Sequence, residues 1–137
     1  MIKLGIVATE FNFDIVSPML EFAKKHAEFL GAQVVAEVMV PGVYELPLAT
    51  KKLVQQKNVD AVVTLGAVIE GDTQHDEIVM QNATRKLIDI SVESGKPVSL
   101  GISGPGMTRL QAFDRVNDYA RRSVEAAVKM VKQLEKV

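Results

Sequence analysis

Two histidines occur among the 137 residues of the chain, and His75 stands where an imidazole can do chemistry. It closes the stretch Gly66-Ala67-Val68-Ile69-Glu70-Gly71-Asp72-Thr73-Gln74-His75, in which an apolar run crosses a glycine and enters a helical pattern. A strand that ends in a glycine turn and feeds a helix offers backbone N–H groups to an anion, and Thr73 adds a hydroxyl. An imidazole beside such a cradle titrates near neutral pH and can move a proton. Together these features predict a site that binds a small phosphorylated molecule and transfers protons. The plainer alternative for His75 is a surface histidine in a helix's first turn. His26, in mid-helix among Lys24, Lys25 and Glu28, reads as structural or solvated.

Other residue types with chemical potential gather in three more stretches. Glu70, Asp72, Asp76 and Glu77 are spaced so that a hard cation could take their oxygens, but acids in a first helical turn also answer the helix dipole. Val40-Pro41-Gly42-Val43-Tyr44-Glu45-Leu46-Pro47 is a stiff loop exposing backbone and one carboxylate, suited to hydrogen-bonding a polar ligand or simply to joining strand and helix. Phe11, in a loop with Asn12 and Phe13, is core or a stacking platform for a flat ring. Arg109, Arg115, Arg121 and Arg122 surround a fourth loop, where one of them could grip a phosphate bidentately.

The elements that must position these residues alternate in type. Ile2 to Ala8, Gln33 to Val40, Val59 to Ile69 and Pro97 to Ser103 read as strands. A first helix starts at Asp14 or at Ser17-Pro18 and stops at Gly31. Tyr44 to Gln56 is a short helix, Thr73 to Ser94 a long one closed by Gly95. Gly104-Pro105-Gly106 reads as a loop, and Thr108-Arg109-Leu110-Gln111 as a capping box. The last helix, about Asp118 to Glu135, puts Ala120, Val124, Ala127, Val128, Val131 and Leu134 on one face. This order predicts an α/β domain over 1–137, a three-layer αβα sandwich on a four-stranded parallel sheet of flavodoxin-like type. Ligands in such sheets sit at the carboxyl ends of the strands, here the loops Thr9–Phe13, Val40–Glu45, Glu70–His75 and Ser103–Thr108.

Composition narrows the function further. A formal net charge of -1 gives no footing for nucleic acid or an acidic membrane surface. The absence of cysteine removes disulfides, thiolate metal sites and cysteine nucleophiles. The opening apolar run is too short for a signal-peptide core, and no segment approaches a membrane span, so a cytoplasmic location is expected.

Phe11-Asn12, the Val40 to Pro47 block, the Gly66 to His75 block, and Gln111-Ala112 followed by Arg115 appear in an order and spacing that closely resembles the lumazine synthase family in an archaeal-like form. That family condenses 5-amino-6-(D-ribitylamino)uracil with 3,4-dihydroxy-2-butanone 4-phosphate and uses no metal or organic cofactor. The resemblance implies that Phe11 stacks on the pyrimidine, with Asn12, Val68, Ile69 and Leu100 around the ring. It gives Val43, Tyr44 and Glu45 the ribityl chain and ring edge, Gly71, Asp72, Thr73, Arg115 and Arg122 the phosphate, and His75 the proton transfers. Leu100 stands where an aromatic is common, Glu70 where a basic residue is common, and Arg122 replaces a lysine one residue closer than usual. The resemblance also implies a homopentamer with pockets between neighbours. Some members stack pentamers into an icosahedral 60-mer, and the short Val116–Asp118 connection favours that shell. Two rivals remain: the archaeal type of riboflavin synthase, which shares the first strand and the Val-Pro-Gly loop but does not need the Gly71 to His75 cradle, and a silent flavin-like ligand binder or shell protein.

Overall fold

The computed structural model describes residues 1–71 and 75–137. Strands β1 (Lys3–Thr9), β2 (Gln33–Val40), β3 (Ala61–Ile69) and β4 (Val98–Met107) form one sheet in the order β2-β1-β3-β4. Every pairing is parallel. The helices are α1 (Phe13–Phe29), α2 (Leu46–Val54), α3 (Asp76–Ser94), α4 (Arg109–Asp114) and α5 (Val116–Leu134). This is the three-layer flavodoxin-like sandwich that the alternation of patterns predicts.

The layering follows from strand geometry. All nine residues of β3 are buried, as expected for a central parallel strand covered on both faces. Leu4, Ile6, Val63, Leu65 and Ile69 face α1 and α5, whose Ile15, Met19, Val124 and Val128 complete one core. Val7, Val62, Val68 and Ile102 face α2 and α3, meeting Leu53, Met80, Leu87 and Ile90. Successive side chains of a strand point to opposite faces, so each strand feeds both cores. Among the described residues, no helix is long and apolar enough to cross a membrane.

Three expectations change at the element ends. Helix α1 is capped by Asn12 rather than by Asp14 or Ser17: Asn12 adopts the left-handed conformation (φ 59°), and its carbonyl accepts from the N–H groups of Ile15 and Val16. The expected Tyr44–Gln56 helix splits into a 3₁₀ turn, Val43–Glu45, and α2, with Pro47 in the first turn, where a missing N–H costs nothing. Helix α5 begins at Val116; its Ala120, Val124, Ala127 and Val128 are buried and Val131 partly so, while Leu134 is exposed. The start of the third helix expected at Thr73 lies outside the described residues, and α3 is seen from Asp76. The capping box holds: Thr108 Oγ1 accepts from the Gln111 N–H (3.2 Å), and Gln111 Oε1 from the Thr108 N–H (2.9 Å).

The largest departure is β4, which does not stop at Ser103. It passes through Gly104-Pro105-Gly106 and resumes pairing, Met107 beside Ile69, after an irregularity. The Glu70 N–H then donates to the Met107 carbonyl at 2.8 Å. Two glycines at positive φ (103° and 75°) make the bulge possible, and proline is tolerated because β4 is an edge strand. A Cβ on Gly104 would lie 2.2 Å from the Val68 carbonyl oxygen. Gly104→Ala is therefore expected to destabilise the fold by about 2–4 kcal/mol, read as a shift of the urea midpoint. An unshifted midpoint would show that the bulge relaxes freely.

Candidate active site

The loops after β1 and β2 are stitched together: the Glu10 N–H donates to the Val40 carbonyl (2.8 Å) and the Phe11 N–H to that of Pro41 (2.9 Å). The Phe11 ring lies on Gly42, so close that an added Cβ would sit 2.7 Å from its Cδ2. The Gly42 N–H donates to Glu45 Oε1 at 3.1 Å, which pins the carboxylate beside the ring. Phe11, Asn12, Val43, Tyr44, Glu45 and Val68 all border a cleft of about 280 Å³ at the carboxyl edge of the sheet. Phe11 (65% exposed) and Tyr44 (77%) leave much of their side chains uncovered and available to a ligand.

Because the nearest described neighbour of a Gly42 Cβ is the Phe11 ring, with Glu45 Oε1 next at 3.7 Å, and the Gly42 backbone is extended (φ −147°), the substitution has a selective effect. Gly42→Ala is expected to leave stability within about 0.5 kcal/mol but to push the exposed ring aside. Binding of a planar ligand, measured by calorimetry, should weaken about tenfold. Unchanged affinity would remove Phe11 from the ring site.

The remaining sequence-predicted residues lie elsewhere. Leu100, Arg115 and Arg122 border a second cleft of about 360 Å³ between β4 and α5, together with Ser99 and Tyr119. Among the described residues the two clefts share no lining residue: the first is built on the loops at the carboxyl edge of the sheet, the second between β4 and α5. Neither Arg115 nor Arg122 makes an ion pair among the described residues, and both border the second cleft together with Asp118. Arg121 instead reaches Asp118 at 3.4 Å. The Ile69 side chain is buried in the core toward α1 and α5, away from the first cleft.

His75 is the N-cap residue of α3, exposed, with its carbonyl accepting from the Val79 N–H at 2.9 Å. Val79 and Asp76 border the first cleft, a placement that inspection of the sequence misses although their spacing from His75 marks the same helix end. Gly71 has φ 87°, a conformation that glycine adopts without strain. Asp72 and Thr73, assigned to the phosphate by resemblance, lie outside the described residues. His26 is held at 2.8 Å from a Glu125 oxygen and stacks on Phe29, which gives it a structural role remote from either cleft.

A four-stranded parallel sheet covered by helices on both faces, with a cleft bordered by its carboxyl-edge loops, defines an α/β protein of flavodoxin-like architecture. A family model described as 6,7-dimethyl-8-ribityllumazine synthase matches residues 1–135. Relatives bearing that same name include one from Methanococcus maripaludis strain C5, 61% identical over 137 residues, covering 100% of this chain and 99% of its own length. One from Methanocaldococcus jannaschii is 61% identical over 135 residues, covering 98% and 95%. Another, from Methanoculleus marisnigri, is 60% identical over 134 residues, covering 98% of each. The chain belongs to the 6,7-dimethyl-8-ribityllumazine synthase family.

Proposed function

We propose that the protein is a 6,7-dimethyl-8-ribityllumazine synthase of riboflavin biosynthesis, condensing 5-amino-6-(D-ribitylamino)uracil with 3,4-dihydroxy-2-butanone 4-phosphate. The observation that carries this reading is the Phe11 ring fixed over Gly42 beside the Glu45 carboxylate, in a cleft whose wall is the helix headed by His75. The pyrimidine stacks on Phe11. Glu45, with one oxygen engaged by its own loop, offers the other to ribityl hydroxyls. Gly71, Asp72 and Thr73, which follow β3 in the sequence, receive the phosphate.

The chemistry needs placement, anion stabilisation and proton transfer. The ring amine attacks the ketone and water leaves to give an imine. Loss of a proton from carbon and departure of phosphate leave an enol that tautomerises to a ketone. The second amine attacks that carbonyl and closes the ring with loss of a second water. His75 accepts and returns protons in these steps. Arg115 and Arg122 supply positive charge where phosphate separates.

The arginines face a different cleft from Phe11, which supports a site completed by a neighbouring copy: the ring and histidine side from one chain, Leu100 and the arginines from the next. A homopentamer closes such head-to-tail contacts, and stacking of pentamers into an icosahedral shell extends it. Substrates this polar do not cross bilayers unaided, so the proposed compartment is the cytoplasm.

The test mixes purified protein with both substrates and follows the lumazine by absorbance and fluorescence. Formation well above the uncatalysed background is expected. No product from folded, assembled protein would overturn the reading, and conversion of ribityllumazine to riboflavin instead would identify a riboflavin synthase.

A further inference from the structure

The Phe11 ring is mostly exposed, so packing alone does not hold it in place; the backbone on either side must. Upstream, Glu10 and Phe11 are tied to Val40 and Pro41. Downstream, the next residue is Asn12, in a left-handed conformation that few residues other than glycine adopt. Its side chain spans two elements: Nδ2 donates to the Ala67 carbonyl on β3 at 3.1 Å, and Oδ1 accepts from Arg109 Nη2 at 2.8 Å. Arg109 Nη1 donates to Asp14 Oδ2 at 2.6 Å. One guanidinium thus forks across Asn12 and Asp14, gripping both sides of the turn that aims Phe11.

The geometry points to Arg109 as a positioning residue for the ring subsite, acting through Asn12; this rests on the synthase reading above. The bare ion pair is a poor reason for the arrangement. Arg109 and Asp14 side chains are 46% and 55% exposed, and pairs so wetted contribute little to stability. The planar fork, in contrast, satisfies two acceptors at once in fixed directions, which a lysine ammonium on its flexible stem does not reproduce. Arg109 comes from α4, the helix that leads into Arg115. Its anchoring end is itself rigid, since the capping box fixes Thr108 to Gln111. A loop bearing a mostly exposed aromatic, in contact with Gly42 on one side, is therefore braced from a stiff neighbour.

The experiment compares Arg109→Ala, Arg109→Lys and Asp14→Asn in the full-length protein. It measures the Kd of the ring product 6,7-dimethyl-8-ribityllumazine by its own fluorescence, the KM of each substrate, and the thermal midpoint. Arg109→Ala should raise the ring-product Kd and the pyrimidine KM about tenfold while changing the butanone phosphate KM less than about twofold. The thermal midpoint should stay near that of the native protein. Arg109→Lys should recover only part of the loss, and Asp14→Asn should behave as native, because its amide oxygen can still accept from the guanidinium and the Asn12 contact stays in place. A double variant with Asn12→Gly should be no worse than Asn12→Gly alone, as expected of groups acting in series. Equal loss for both substrates, a collapsed thermal midpoint in Arg109→Ala, full activity with alanine, or a defect of equal size in Asp14→Asn would each overturn the assignment. Failure of the native protein to make lumazine would instead strike the synthase reading, and the ring-product Kd would still report on Arg109.

Discussion

His75→Ala is expected to slow lumazine formation by about ten- to a hundredfold, with the assembled protein intact by sedimentation. The effect sits at the lower end for general acid–base catalysis for two reasons. Imine formation between an amine and a ketone proceeds without a catalyst, so approximation of the two substrates supplies a separate part of the acceleration. His75 is also exposed, so water and buffer can stand in for the missing imidazole. Added imidazole should restore some of the rate in the variant. A rate unchanged by the substitution would remove His75 from the chemistry. Disassembly would make it structural.

Arg115→Ala is expected to raise the KM for butanone phosphate about thirtyfold or more, since a charge-assisted grip on a phosphate is among the strongest polar contacts. Arg115 borders the cleft between β4 and α5, whereas Phe11 borders the separate cleft at the carboxyl edge of the sheet. A sharper measurement follows from that separation. Mixed assemblies of His75→Ala and Arg115→Ala chains, refolded together, should regain part of the native rate. Some sites then take His75 from one kind of chain and Arg115 from the other. No recovery in assemblies shown to be mixed would place both residues in the same chain's site, and the two-copy reading would fall.

The architecture was legible because periodicity is local: β3 announces itself by nine consecutive residues suited to burial, and α5 by small and branched residues on one face. The Val40 to Pro47 loop and the Phe11-Asn12 pair were legible as loop residues, and their meeting in one cleft follows from parallel strands ending at one edge. The course of β4 was not legible, because Gly104-Pro105-Gly106 has the composition of a turn and only the partner strand makes it a bulge. Nor was the left-handed cap at Asn12, whose conformation is fixed by distant partners, Ala67 and Arg109. Four arginines near one loop look equivalent in sequence. In the fold, Arg109 and Arg121 pair with Asp14 and Asp118, while Arg115 and Arg122 face the second cleft.

The segregation of the two clefts bears on how this protein can vary. If the Phe11 cleft and the arginines that meet the phosphate belong to different copies, the spacing between them is set by the angle at which copies meet rather than by the interior of either one. Contact residues far from both clefts then act as a ruler for the reacting atoms. Substitutions there can alter which donor and acceptor lengths fit, without touching a substrate. Dilution should also disclose it: specific activity would fall as the assembly comes apart, while each separated chain kept its fold.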